Sequence, residues 1–433
     1  MDSAFVEQVT STRMFTGRLA VVAGAGRSGL AAARLLHKLK ATVRIVDSNE
    51  NLNTDILDGL DNTELMTGPF CEEQFAGADV IVASPGIPAR KIVPFIGNLP
   101  ERAIISELEL ASWFANEPKI AITGTNGKTT TTALMEHILK ESGRVPFAGA
   151  NYGTPLSEFI YEDRKADVLV LEVSSFQLQN CRLFRPQAAI LLNIAPNHLN
   201  YHEDMDEYLQ AKLKIFERQS ADELAILPAE MKEQLDPSSF TKAEVKWFDG
   251  STFEEQPNLP GFHNRLNMEA AWLALEKIGL TREEFEAGLK TFIGKPHRVQ
   301  DIGSVDGVRF IDDSKGTNLD AVRAALNSFE GPVRLLLGGV FKGGDVSELL
   351  PAMQGKVAEV GLFGAGREHF EPALKGEFKI SWHENLEQAA RALFANSQAG
   401  DTILLSPATA SFDAYSGYEA RGEDFKRIME ELS

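Results

Sequence analysis

Ile120-Ala121-Ile122-Thr123-Gly124-Thr125-Asn126-Gly127-Lys128-Thr129-Thr130 decides how the fold is read. A short apolar run feeds a glycine loop, and the loop opens into the helix-like stretch Lys128–Ser142. Backbone N–H groups of such a loop, Gly124 to Thr130, cradle phosphates. Lys128 can reach the β- and γ-phosphates of ATP, and Thr129 can ligate Mg²⁺. The usual spacing needs a glycine at position 122, where Ile122 stands, so the loop is a compact variant. Strand, loop and helix in that order argue for a parallel sheet with its ligand at the C-terminal edge.

The same rhythm runs outward in both directions. Leu19–Gly24, Thr42–Asp47, Asp79–Ser84, Asp167–Glu172, Ala188–Asn193, Val333–Gly339, Ala358–Phe363 and Thr402–Ser406 read as buried parallel strands. Ser28–Lys40, Met205–Arg218, Leu319–Ser328 and Asn385–Phe394 read as helices between them. The fold class is therefore α/β, with open sheets covered on both faces. At 433 residues the length suggests two or three domains.

A second glycine loop, Gly24-Ala25-Gly26-Arg27-Ser28-Gly29, follows the first strand, and Asp47 closes the next one. This strand–GxGxxG–helix order suits a dinucleotide, another nucleotide diphosphate or a structural turn. Each glycine loop requires its own sheet, which places one boundary near Ser106. A second falls near Gly294-Lys295-Pro296, after which the strand pair Val299–Gly303 and Val308–Asp312 restarts the pattern.

Composition narrows the function classes. Lys plus Arg is 43 and Asp plus Glu is 62, a formal net charge of −19. So acidic a chain is a poor coat for nucleic acid or an anionic membrane. No apolar run reaches the length of a membrane span, and residues 1–17 carry no signal pattern. Cys71 and Cys181 form no disulfide framework or zinc spacing. The expectation is a cytoplasmic monomer that binds neither nucleic acid nor membrane.

Further groups stand at strand ends. Glu172 closes an apolar strand and is followed by Ser174, Ser175 and Gln177. His198 and His202 are four apart, but in a loop-like stretch that argues against a zinc pair.

Together Gly124–Thr130, Glu172–Gln177, Gly261-Phe262-His263-Asn264-Arg265-Leu266-Asn267 and Pro296-His297-Arg298 resemble the Mur ligases of peptidoglycan synthesis over essentially the whole chain. Asp312-Asp313-Ser314-Lys315-Gly316-Thr317-Asn318 resembles the DSK-x-TN segment of the D-glutamate-adding branch. Ser406–Asp413 and Tyr418–Gly422 resemble its C-terminal segment.

The resemblance implies three domains. These are a Rossmann-like UDP-binding domain (1–106), a central P-loop ATPase domain (107–297) and a Rossmann-like amino-acid-binding domain (298–433). It implies that ATP joins D-glutamate to the L-alanine carboxylate of UDP-N-acetylmuramoyl-L-alanine through an acyl phosphate. By the same resemblance, Lys128 and Thr129 hold ATP phosphates and the first Mg²⁺, with Glu172 as a further ligand. His198 takes a second Mg²⁺, and Lys212 is carbamylated by CO₂ to become a metal ligand. Asn267, Arg298 and Asp313 contact ATP. Arg27, Ser28, Asp47, Ser48, Gly86 and Ile87 contact UDP, while Asn151 and His297 lie on the substrate side. Lys315, Thr317, Lys342, Ser411 and Tyr418 bind D-glutamate. The chain departs from the family pattern where Asn197, not Asp, precedes His198, and where Asn200-Tyr201 replaces an Asp-Arg pair.

Two other readings compete. A nicotinamide-dependent oxidoreductase explains the first loop only, and a relative that binds ATP without turnover leaves Lys128, Glu172, His198 and Lys212 idle.

Overall fold

Three sheets order the chain in this computed structural model. It describes residues 15–61, 63–195, 201–256, 259, 261–294, 296–329, 331–341 and 343–433. The first sheet comprises β1 (Leu19–Ala23), β2 (Thr42–Asp47), β3 (Glu64–Thr67), β4 (Val80–Ala83) and β5 (Ile104–Ser106). All its pairings are parallel, in the order β3-β2-β1-β4-β5, as a Rossmann-like half requires. The second holds β6 (Lys119–Thr123), β7 (Pro146–Ala150), β8 (Val168–Glu172), β9 (Ala188–Leu191), β10 (Leu224–Pro228) and β11 (Glu244–Phe248). Its order is β11-β10-β9-β6-β8-β7, again parallel throughout, so the phosphate-loop strand β6 lies between β8 and β9.

The third sheet comprises β12 (Gln300–Val305), β13 (Val308–Asp312), β14 (Val333–Gly338), β15 (Val357–Phe363), β16 (Ile380–His383) and β17 (Thr402–Leu405). Its order is β12-β13-β17-β14-β15-β16, and only the β12–β13 hairpin is antiparallel.

The chain forms two compact units. The first, residues 1–253 and 266–292, contains the first two sheets. One apolar core runs through both, from Leu35, Leu36 and Leu108 to Leu156, Phe159 and Leu171. Polar contacts reinforce the junction. Glu107, in the Glu107–Ser112 helix, accepts from Ser157 N at 2.6 Å, and Lys38 Nζ meets Asp163 at 2.7 Å and Tyr161 O at 2.6 Å.

The second unit, residues 254–265 and 293–433, is built on the third sheet. Apolar cores cover both its faces, around Leu335, Leu337 and Leu362 on one and Leu336, Ile403 and Phe425 on the other. Parallel strands buried on both faces explain the continuous apolar runs in the sequence.

The helix expected over Met205–Arg218 ends at Leu213, after which residues 214–218 form turns. Among the described residues, no helix is long and apolar enough to cross a membrane.

Candidate active site

The loop after β6 is held by the strand-end segment after β9. Thr125 N donates to Asn193 O at 3.1 Å, Asn126 N to Asn193 Oδ1 at 2.8 Å, and Ala195 N to Thr125 Oγ1 at 3.0 Å. Gly127 caps the Lys128–Glu141 helix in the left-handed region, at φ 84°. A Cβ there would lie 2.5 Å from Asn267 Oδ1, so the glycine admits the buried Asn267 against the loop. Thr129 and Thr130 stand half-buried in the first helical turn, where N–H groups and the helix dipole favour an anion.

Two lysines converge on one carbonyl. Lys128 Nζ donates to Gly124 O and to Thr125 O, both at 2.8 Å. Lys212 Nζ donates to the same Gly124 O at 2.9 Å and lies 4.5 Å from the Tyr208 ring centre. Lys212 is only 1% exposed. Burial, and then the charge of Lys128, holds its amine well below the usual lysine range. The Tyr208 hydroxyl meets Thr125 Oγ1 at 3.2 Å, which ties the Met205–Leu213 helix to the loop.

Glu172 ends β8 and is buried. Its Oε1 accepts from Asn151 Nδ2 at 2.6 Å, while its Oε2 is buried with no hydrogen-bond partner among the described residues. A buried carboxylate oxygen of that kind fits a cation. Mg²⁺ commonly takes one or two protein carboxylates and completes its shell with water and substrate phosphates. The donor set therefore fits ATP with Mg²⁺, although no cluster of three His, Cys, Asp or Glu occurs among the described residues. His198, like Asn197 and Asn200, lies outside the described residues. His202 is buried and takes a different partner, Ser175 Oγ, 2.9 Å from its Nε2.

At the first glycine loop, Asp47 spends its carboxylate on loop backbone. Oδ2 accepts from Ala25 N at 2.7 Å and Oδ1 from Asn49 N at 2.8 Å. Ser84 Oγ donates to Gly24 O at 3.1 Å, which sets the Ser84-Pro85-Gly86-Ile87 turn on the loop. Arg27, Ser48 and Gly86 are exposed beside it, with Ser28 and Ile87 half-buried. The structure thus brings the six residues expected to contact UDP to one sheet edge.

In the second unit, His297 Nδ1 lies 2.6 Å from Asp312 Oδ2, and Asp312 Oδ1 accepts from Ser314 N at 2.8 Å. Burial raises the Asp312 carboxyl, and His297 opposes that rise. Asp313 accepts from Ser406 Oγ at 2.6 Å, and burial pushes it up to about 7. Arg298 is one of the groups that favour its charged form. Lys315 Nζ donates to Tyr418 OH at 3.1 Å and sits 4.7 Å from that ring's centre. Burial and then the neighbouring Glu419 push the Tyr418 phenol up to about 12. Thr317 is half-buried, Ser411 is buried, and Lys342 lies outside the described residues. Asp312, Tyr208, Asn193 and Arg421 hold the candidate residues in place, and the sequence reading gave them no role. Their partners are distant along the chain; Asp312 and Arg421 fall inside segments that carry the family resemblance, and Asp312 and Asn193 stand at strand ends.

The folded elements and the phosphate loop define an ATP-loop α/β protein, and comparison with known families makes that specific. Residues 18–96 match the Mur ligase MurD-like N-terminal domain, 122–248 the Mur ligase middle domain and 297–409 the Mur ligase glutamate ligase domain. The chain belongs to the Mur ligase family. It is 44% identical to the UDP-N-acetylmuramoylalanine–D-glutamate ligase of Desulfovibrio desulfuricans, covering 99% of this chain and 100% of that one. It is 46% identical to the enzyme of that name from Lawsonia intracellularis, over 95% and 94% of the two chains. Among solved structures, MurF ligase from Thermotoga maritima shares the fold at TM-score 0.58 and 16% identity, with both chains fully covered. UDP-N-acetylmuramate-alanine ligase MurC from the same organism does so at TM-score 0.56 and 18% identity, over 96% of this chain and 100% of that one.

Proposed function

We propose that this protein is an ATP-dependent ligase that joins D-glutamate to the L-alanine carboxylate of UDP-N-acetylmuramoyl-L-alanine in peptidoglycan precursor synthesis. The full-length likeness to relatives named UDP-N-acetylmuramoylalanine–D-glutamate ligase carries this reading. The site supports it chemically. A carboxylate is a poor acylating agent, and transfer of the γ-phosphoryl group from ATP makes an acyl phosphate with a good leaving group. The amine of D-glutamate then forms the C–N bond, the C–O bond to phosphate breaks, and ADP and phosphate are released.

Lys128 and the Gly124–Thr130 amides hold the phosphates in this reading, and Thr129 with Glu172 offers oxygens to a first Mg²⁺. Magnesium, when bound, offsets the charge of the phosphates and the attacking carboxylate. His198 serves a second ion, and Asn151 orients Glu172 and meets the muramyl substrate. Lys212, buried with a depressed amine, is suited to add CO₂ as a carbamate, since the unprotonated amine is the nucleophile. Asn267, Arg298 and Asp313 bind the nucleoside end of ATP. Arg27, Ser28, Asp47, Ser48, Gly86 and Ile87 bind UDP. His297 lies on the substrate side, and Lys315, Thr317, Lys342, Ser411 and Tyr418 receive the D-glutamate carboxylates. Functional domains 1–106, 107–297 and 298–433, a monomeric cytoplasmic enzyme, and no nucleic-acid or membrane partner complete the reading.

Phosphate release tests it, with ATP, Mg²⁺ and UDP-N-acetylmuramoyl-L-alanine, adding D-glutamate, L-glutamate, lysine or diaminopimelate in parallel. Release that depends on D-glutamate, with a product heavier by one glutamyl residue, is expected. Release only with another amino acid overturns the substrate, and no release overturns the activity.

A further inference from the structure

Arg421 lies in the first turn of the Tyr418–Leu432 helix and is fully buried, at 0% exposure. No carboxylate lies within ion-pair distance of its guanidinium among the described residues; its donors go to loops. Nε donates to Ser314 Oγ at 2.9 Å, and one terminal nitrogen donates to Ser314 O at 2.8 Å and Thr409 O at 3.1 Å. The other reaches Thr409 Oγ1 at 3.4 Å and Gly338 O at 3.5 Å.

Those three acceptor residues belong to three strand ends. Ser314 follows β13, Gly338 ends β14 and Thr409 follows β17, and these strands are neighbours in the order β13-β17-β14. The backbone is shaped to admit the guanidinium. A Cβ on Gly339 would come within 3.3 Å of Arg421 and 2.5 Å of Ala410 O. Val340 and Ala410 pair across the gap by reciprocal backbone hydrogen bonds, at 2.9 and 3.0 Å.

Asp413, Asp312 and Asp313 favour its charge from a distance, but burying a cation with no carboxylate in direct contact is costly, and an apolar side chain of similar volume would fold more cheaply. What an apolar side chain lacks is a rigid plane of five donors that fixes the spacing of several acceptors at once. One tied segment carries Lys315 and Thr317, another carries Ser411, and the helix itself carries Tyr418. We infer that Arg421 is a positioning residue that sets the spacing of these three loops and thereby the fit of a dicarboxylate amino acid between them. The inference rests on the proposed reading of this pocket as the D-glutamate site.

Steady-state kinetics of Arg421→Ala and Arg421→Lys test it, with each substrate varied in turn and unfolding followed in parallel. Arg421→Ala is expected to raise the D-glutamate KM by about 10- to 100-fold, the loss that accompanies charge-assisted hydrogen bonds. KM values for ATP and the nucleotide-sugar should rise several-fold less than that for D-glutamate, because of the three tied loops only the one after β13 also carries Asp312 and Asp313. Added guanidinium should recover much of the loss, and Arg421→Lys should recover less because a single ammonium cannot span the three loops. An unchanged D-glutamate KM, or a parallel rise in all three KM values without guanidinium rescue, overturns the inference. If Arg421→Ala does not fold, Thr409→Val removes only the Oγ1 bonds to Arg421 and to Gly338 O and must raise the D-glutamate KM in the same direction; no rise overturns the proposal. Wild-type enzyme with the four amino acids runs alongside. Turnover with another amino acid refutes the D-glutamate reading, and the KM comparison on that amino acid then decides Arg421. Silence with all four overturns both.

Discussion

At the phosphate loop, single atoms decide what the site can hold. Gly127 has φ 84°, and a Cβ would stand 2.5 Å from Asn267 Oδ1. Gly127→Ala should therefore cost about 1 kcal/mol of stability through the left-handed backbone alone. It should also weaken ATP binding by pushing Asn267 away; titration with ATP and a denaturant midpoint check both, and unchanged ATP affinity would count against Asn267 as a contact. Glu172→Gln keeps an oxygen for Asn151 but removes the charge. The expected outcome is a folded protein with kcat lowered by about 100-fold or more, and with phosphate release that needs more Mg²⁺. A variant with the wild-type Mg²⁺ dependence would remove Glu172 from the metal site. Lys212→Ala should lose activity and regain part of it with acetate or formate, which can place a carboxylate where the carbamate would lie. Loss without any recovery would leave Lys212 a structural hydrogen-bond donor held by Gly124 O. Lys128 was legible in the sequence because its motif is local. The burial of Lys212 and the pairing of His297 with Asp312 were not, because each depends on chain segments brought together only by folding.

Buried carboxylates join the elements of the first unit, and they give the junction a pH dependence. Glu107 accepts from Ser157 N in the first turn of the Leu156–Tyr161 helix, and burial pushes its carboxyl up to about 7. Glu109, two residues on, is also raised by burial while it accepts from Leu183 N and Phe184 N. A raised carboxyl makes the folded state bind more protons than the unfolded one between the two pKa values. Its contribution is present below the unfolded carboxylate range and lost as pH rises through about 7. Glu107→Gln keeps an acceptor for Ser157 and removes the titration. It should be more stable than the wild type at pH 8, by roughly 1–3 kcal/mol, with the difference vanishing near pH 4. Urea midpoints across that range measure it, and parallel curves for the two proteins would refute the assignment. The elements themselves were unevenly legible. Central strands such as β6 and β8 are buried along their whole length and read as unbroken apolar runs. Of the edge strands, β3 exposes Glu64 and Thr67, β11 exposes Glu244 and β16 exposes Trp382, so none is a run buried on both faces. β5, β7 and β10 also lie outside the runs legible in the sequence, although β5 and β10 are buried along their whole length. At Met205–Leu213 the apolar spacing continues past the end of the helix into turns that bury Ile215 and Phe216.

On the scale of the molecule, the order of the motifs announced the three-sheet plan, because each phosphate-type loop or new strand pair marks the start of a sheet. The grouping of those sheets into compact units was not legible. It depends on the apolar core and buried carboxylates shared by the first two sheets, which no local pattern records. The second unit has its own fastening, set among the strands of its sheet. Arg334 on β14 meets Glu359 on β15 at 2.5 Å and Asp401, just before β17, at 2.7 Å. Both acids are only 2% exposed at the side chain. Lys379 reaches Glu359 at 3.1 Å, but no second cation meets Asp401 at ion-pair distance among the described residues. Arg334→Met retains most of the volume and strips Asp401 of its cation, which should cost the second unit about 3 kcal/mol. The melting temperature should fall by roughly 10 °C for a unit of this size. Because the change lies wholly within residues 293–433, scanning calorimetry should show the effect in one transition and leave the transition of residues 1–253 and 266–292 in place. ATP with Mg²⁺ added to the variant should raise that unmoved transition, since the phosphate loop belongs to it. A single transition shifted as a whole would mean that the two units unfold as one cooperative body, and an unshifted thermogram would mean that the Arg334 network contributes nothing to stability.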